Sequence, residues 1–142
     1  MKFEIGSEAI LSYRRLDYKP WHAIAEFVDN TTQAYFSNEK SLQKSFKSKN
    51  TCLDITIVYD ADDDVLRITD NSFGMDEEDL KRAMTVGKRP PNTNGRSKYG
   101  MGLKTAACWF GDKWKIVTKK LDCDYEYEIE IDVNKSQKAQ QN

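Results

Sequence analysis

Three short segments hold residue types whose spacing suits work on phosphates and a flat base. In Glu26-Phe27-Val28-Asp29-Asn30, a carboxylate and an amide lie four residues apart, so on a helix both share one face. A carboxylate there can orient and deprotonate a water that attacks a phosphoryl group. An amide oxygen can ligate Mg²⁺, a hard cation that takes oxygen ligands. In Asp70-Asn71-Ser72-Phe73-Gly74-Met75, an acid closes the run Leu66-Arg67-Ile68-Thr69. Asp70 can accept a hydrogen bond from an adenine amino group. Gly74 lets the backbone approach a base closely, and Met75 is a pliable apolar cover for it. In Gly95-Arg96-Ser97-Lys98-Tyr99-Gly100-Met101-Gly102-Leu103-Lys104, glycines lead into a helix. Gly100 and Gly102 permit phosphate to approach N–H groups at a helix start, and Lys104 adds a point charge. Together these are the parts of an ATP site.

Each segment alone has a plainer reading. The first is a solvated polar stripe, the second an ordinary turn, the third a loop before a helix. Ile24, Phe27 and Val28 flank the first pair and suggest a partly enclosed position. Other phosphate loops are excluded. A Walker loop needs lysine after Gly100, where Met101 stands, and a Rossmann or kinase loop needs glycine where Thr105 stands.

The elements that must position these residues follow from periodicity. Residues 20 to about 36 read as a helix, with Pro20 in its first turn and apolar residues at Ile24, Phe27, Val28 and Ala34. Residues 37–50 read as a short helix and a loop. Leu53, Ile55, Ile57 and Tyr59 alternate as a strand, 60–64 is an acidic turn, and 65–69 returns. The turn lacks the glycine and distal glutamate of a calcium loop. Asp76 can cap a helix over 77–84 whose first turn is acidic. Residues 86–98 read as a mobile loop, and 100–110 as a helix closed by Gly111. Trp114, Ile116 and Thr118 form one alternating strand; Tyr125, Tyr127, Ile129, Ile131 and Val133 form another, with glutamates outward. The sum is an α+β domain, an antiparallel-rich sheet covered on one side by three helices.

Composition narrows the classes. The chain has 142 residues, enough for one domain, expected over 1–135 with a disordered polar tail over 136–142. A net charge of −1 argues against a dedicated DNA-binding module. No apolar run reaches membrane-spanning length, so no membrane partner is expected. The N-terminus lacks a signal-peptide core. Cys52, Cys108 and Cys123, with no Cys-x-x-Cys pair, fit reduced thiols and a cytoplasmic location. One histidine makes a zinc site of the usual kind unexpected. His22 reads as an exposed helix-start residue, and Trp109 and Trp114 as core or rim.

In this order and spacing, the three segments resemble the ATP-site motifs of the GHKL superfamily: gyrase B, heat-shock chaperones of the ninety class, histidine kinases and MutL. The resemblance covers roughly 20–118, and the stretch from Tyr99 to Thr105 looks most like MORC-type and prokaryotic chaperone-like ATPases. It implies a Bergerat-type two-layer sandwich that binds ATP with Mg²⁺ and hydrolyses it slowly to ADP. By position it implies Glu26 as general base and Asn30 as Mg²⁺ ligand. Asp70, Gly74 and Met75 would hold the adenine. Gly100, Gly102, Leu103 and Lys104 would hold the phosphates, under a lid over 88–98. It further implies lid closure and homodimerisation through the N-terminal region of a larger clamp, with a client protein or nucleic acid left open. Two departures stand out. Ser72 occupies the first glycine of the usual Asp-x-Gly-x-Gly, and nothing after Val133 supplies the threonine that a later strand brings to the adenine-binding aspartate. Two alternatives remain beside it. One is a nucleotide-gated interaction module with negligible hydrolysis. The other is a histidine-kinase-type catalytic domain, against which Glu26 speaks.

Overall fold

A computed structural model describes residues 19–84 and 103–138. Helix α1 (Pro20–Ser37) begins with Pro20, whose missing N–H costs nothing in a first turn. There the Lys19 and His22 backbones and the exposed His22 ring close on each other: His22 N–H donates to Lys19 O at 2.9 Å, and Lys19 N–H to His22 Nδ1 at 3.2 Å. Asn38 ends α1 by donating its Nδ2 to Ala34 O at 2.9 Å. Helix α2 (Glu39–Lys49) follows at once and stops at Asn50, which takes the left-handed conformation at φ 50°. Leu42 and Phe46, one turn apart, are its buried residues, and Phe46 stacks with Tyr35 of α1 at 6.2 Å.

Strands β1 (Ile55–Asp60) and β2 (Val65–Asp70) pair antiparallel with Ile57 opposite Ile68 and Tyr59 opposite Leu66. The acidic turn between them is self-satisfying. Asp60 Oδ1 accepts the N–H groups of Asp62 and Asp63 at 3.1 and 3.3 Å, the side-chain turn that aspartate favours. Among the described residues no cluster of three or more His, Cys, Asp or Glu side chains suits a metal. Asn71 then ties the hairpin's base, its Oδ1 accepting Asp54 N–H at 2.8 Å and its Nδ2 donating to Cys52 O at 2.9 Å.

Asp76 caps helix α3 (Glu77–Met84) as expected, its Oδ1 accepting Asp79 N–H at 2.9 Å. Helix α4 (Leu103–Phe110) ends at Gly111, whose N–H donates to Ala107 O at 3.2 Å. Strands β3 (Lys113–Lys119) and β4 (Glu126–Asp132) form a second hairpin. Its inner face carries Trp114, Ile129 and Ile131, which pack with Cys108 and Val133 into the core cluster. Its outer face sets lysines opposite acids, Lys113 across from Asp132 and Lys119 across from Glu126. Lys115 reaches diagonally to Glu128 at 2.9 Å. No helix among the described residues is long and apolar enough to cross a membrane.

The fold is α+β with antiparallel strands, as the sequence leads one to expect. Among the described residues, however, the strands lie in two separate two-stranded sheets rather than one. The cause lies just after β2. At Gly74 the chain turns with φ +70° and crosses against the end of β3. One backbone bond spans the crossing, Leu121 N–H to Phe73 O at 2.8 Å. Met75 N–H goes to a side chain, Thr118 Oγ1, at 3.0 Å, so no ladder propagates. The hairpin β1–β2 is correspondingly open: Ile57 and Tyr59, on the face that alternation marks as inward, are 43% and 61% exposed. At the C-terminal end the backbone continues as helix α5 (Val133–Lys138), where the sequence suggests a strand end and a polar tail. Asp132 Oδ1 starts that helix by accepting Asn134 and Lys135 N–H groups at 3.1 and 3.3 Å. The expected loop over 86–98, with Gly100 and Gly102, lies outside the described residues.

Gly74 is the position where this arrangement tolerates no side chain. A Cβ there would sit 1.9 Å from Lys119 O and 2.6 Å from its carbonyl carbon. The positive φ adds roughly 1–2 kcal/mol for any L-residue. We expect Gly74→Ala to lower unfolding stability by about 3 kcal/mol or more, as backbone overlap joins that strain. Urea titration checks this; a midpoint equal to that of the unsubstituted protein refutes it.

Candidate nucleotide site

Helix α1 lies along α4, with Phe27 and Phe110 stacked between them at 6.5 Å. On the same helix Glu26 and Asn30, one turn apart, are half-buried. Burial pushes the Glu26 carboxyl above its ordinary range, and the negative charge of Asp29 adds to the rise. Among the described residues neither Glu26 nor Asn30 spends its side chain on a hydrogen bond or ion pair. Two half-buried polar groups without a partner among the described residues are available to a ligand.

The next residue, Thr31, is buried and joins the first segment to the second. Its Oγ1 donates to Asp70 Oδ2 at 3.0 Å. Ser72 N–H donates to Asp70 Oδ1 at 2.9 Å, and Ser72 Oγ donates back to Thr31 O at 2.9 Å. Asp70, at the exposed end of β2, is thus held on both oxygens beside the helix that carries Glu26 and Asn30. Each carboxylate oxygen keeps acceptor capacity for one more donor. Gly74 and Met75 follow, half-buried, at the crossing onto β3. The close backbone approach that Gly74 permits is to Lys119, so its small size has a structural cause within the chain itself.

The third segment is met only in part. Leu103 is the half-buried first residue of α4, and Lys104 lies in its first turn. Gly100 and Gly102 lie outside the described residues. The structure therefore brings the first two segments together directly, and the helix that follows the third packs on the first.

Two threonines escaped the sequence reading. Thr31 had no signal, because a hydroxyl beside Asn30 looks like more of the polar stripe. Thr118 had one: it occupies an inward position of an alternating strand, where a hydroxyl needs a partner. It is buried and holds Met75 N–H. Nothing after Val133 supplies the threonine that the resemblance calls for, and Thr118, which lies earlier, holds Met75 N–H and not Asp70.

Comparison with known proteins now decides the family. Residues 18–142 match the family described as histidine kinase-, DNA gyrase B-, and HSP90-like ATPase. The chain belongs to this ATPase family. It is also similar to ATPase morc-1 of Caenorhabditis elegans, with 34% identity over 101 residues, 71% of this chain and 10% of that protein. The chain thus spans about a tenth of the relative's length. No solved structure matches it significantly. As a GHKL domain, it is an ATP-binding domain of the ATPase kind.

In this GHKL domain the floor of the second segment is braced by charge. Lys120 Nζ lies 2.6 Å from Asp76 Oδ2 and 3.0 Å from Asp79 Oδ2, and 5.6 Å from the centre of the Phe73 ring. The Lys120 hydrogen bond, with backbone donation from Asp79, pulls the Asp76 carboxyl from 3.8 down to about 2. A depressed carboxyl stabilises the fold above its unfolded pKa and stops doing so as pH falls through the folded one. The brace should therefore weaken between about pH 4 and about pH 2. Because the pair is more than a third exposed at Asp76, solvent screening keeps the effect small. Asp76→Asn keeps a good helix cap but removes the charge. We expect it to lower Tm at pH 7 and to flatten the acid limb of Tm against pH. A variant with the same acid limb as the parent protein would remove this role from the pair.

Proposed function

We propose that this domain binds ATP with Mg²⁺ between α1, the segment from Asp70 to Met75 and the start of α4, and hydrolyses it slowly. The observation that supports it most is the convergence of α1 and β2. The helix whose acid and amide have no partner among the described residues is tied by Thr31 and Ser72 to an oriented aspartate. In this reading Asp70 accepts the adenine amino group, with Gly74 and Met75 against the base. Gly100, Gly102 and Leu103 offer backbone N–H groups to the phosphates, and Lys104 offers its charge.

The side chains fit Mg²⁺. Asn30 presents a half-buried amide oxygen with no partner among the described residues, a hard donor of the kind this ion takes singly beside phosphate oxygens and water. When bound, the ion neutralises charge on the phosphate oxygens. Glu26 does the proton chemistry: its Oε atoms orient a water and take its proton. Burial, by raising the carboxyl's pKa, makes it a better base than an exposed glutamate. Hydrolysis in this reading is slow and resets closure of residues 88–98 and N-terminal pairing in a larger clamp. The larger clamp agrees with a match that covers only 10% of the similar relative.

Glu26→Gln should leave ATP affinity unchanged and lower single-turnover hydrolysis by roughly two to four orders of magnitude. Equal turnover places the base elsewhere, and no hydrolysis by the unsubstituted domain would make it a binding module. Asn30→Ala should abolish the gain in ATP affinity that Mg²⁺ gives over EDTA, read by calorimetry. A gain equal to that of the parent domain removes Asn30 from the metal.

A further inference from the structure

The hydroxyl of Ser72 stands where related ATP sites usually have glycine, and the structure shows it in use. Three hydrogen bonds form a closed ring. Thr31 Oγ1 reaches Asp70 Oδ2, Ser72 N–H reaches Asp70 Oδ1, and Ser72 Oγ returns to Thr31 O, at 3.0, 2.9 and 2.9 Å. A glycine could make only one of the three, the backbone bond to Asp70. Thr31 is 6% exposed, so its hydroxyl has little access to water and is committed to this ring. Asp70 itself is exposed. Without donors on both oxygens, its carboxylate would turn about its side-chain torsions.

We propose that Thr31 and Ser72 are positioning residues that clamp the Asp70 carboxylate in one orientation, and that the domain's choice of adenine over guanine depends on this clamp. The inference rests on the reading of Asp70 as the base-contacting acid. Its physical content is directional. An ionised carboxylate only accepts. Aimed at position 6 of a purine, it receives the amino group of adenine and repels the carbonyl oxygen of guanine. Held rigidly, it cannot turn away from that carbonyl, and the mismatch is felt in full. Released, it turns aside, loses part of its bond to adenine and stops excluding guanine. The same ring fixes Asp70 to α1, one residue from Asn30. Base recognition and the metal-binding amide are therefore set by one rigid contact.

The test is the affinity for ATP and for GTP, measured by calorimetry with Mg²⁺ on the whole chain and four variants. Thr31→Val, which deletes the donor to Asp70 Oδ2, should weaken ATP binding roughly three- to tenfold, the worth of one hydrogen bond. Ser72→Ala keeps its N–H on Asp70 Oδ1 but loses the tie to Thr31 O, and should act in the same direction. GTP binding should hold or improve, so the ATP-to-GTP ratio falls by at least that factor. Thr31→Ser, which keeps the hydroxyl, should keep the ratio. A purely structural role would weaken both nucleotides together; an unchanged ratio in Ser72→Ala and Thr31→Val overturns the clamp. Asp70→Asn separates the two layers. If it leaves both affinities unchanged, Asp70 does not read the base, and the clamp falls with that reading. If it destroys discrimination while Ser72→Ala and Thr31→Val keep it, Asp70 reads the base unaided and only the clamp falls.

Discussion

Everything in the site depends on how one exposed aspartate is held. Asp70 ends a hairpin that gets little support from its own apolar face, since Ile57 and Tyr59 remain largely open to solvent. What fixes the hairpin's end is a side-chain contact to α1 across 39 residues of sequence. A buried hydroxyl that lost its partner would cost roughly 1–3 kcal/mol. Thr31 therefore has reason to keep Asp70 where it is. Through the same helix the position of Asp70 is tied to Glu26 and Asn30.

The second hairpin is joined to the first by a crossing, not by a shared ladder. Gly74 brings the backbone against Lys119, Thr118 Oγ1 accepts Met75 N–H, and Leu121 N–H donates to Phe73 O. Lys120 then bridges to Asp76 and Asp79 at the start of α3. The segment after Asp70 is thus held at its start by α1 and further along by β3 and the residues just after it. A segment held at both of its ends is preorganised rather than adaptable.

Two carboxyls on either side of this segment are moved in opposite directions. The Lys120 hydrogen bond lowers Asp76, whereas burial raises Glu26. The first shift marks an acid committed to a structural ion pair. The second marks one that is half-buried and, among the described residues, has no cation beside it, which suits the proton-taking role proposed for it. Two carboxyls of like chemistry are thus shifted apart by their surroundings alone.

Much was legible from residue order. Pro20, Asp76 and Gly111 set helix boundaries by local chemistry, and the β3–β4 alternation told its faces apart because side chains point with period two. Glu26 and Asn30 fell on one helix face by spacing alone, and the three segments together pointed to the ATPase family. Other features belonged to the tertiary structure. The division into two small sheets arises where Gly74 meets Lys119, a contact between residues 45 apart that no local pattern encodes. Thr31 and Ser72 are ordinary helix and turn residues until folding brings them to Asp70. The rise in the Glu26 pKa comes from burial that exists only once the chain has folded. Local sequence determined which groups are present and which way each element faces them. Only packing decided which groups meet, because hydrogen bonding and desolvation act between neighbours in space.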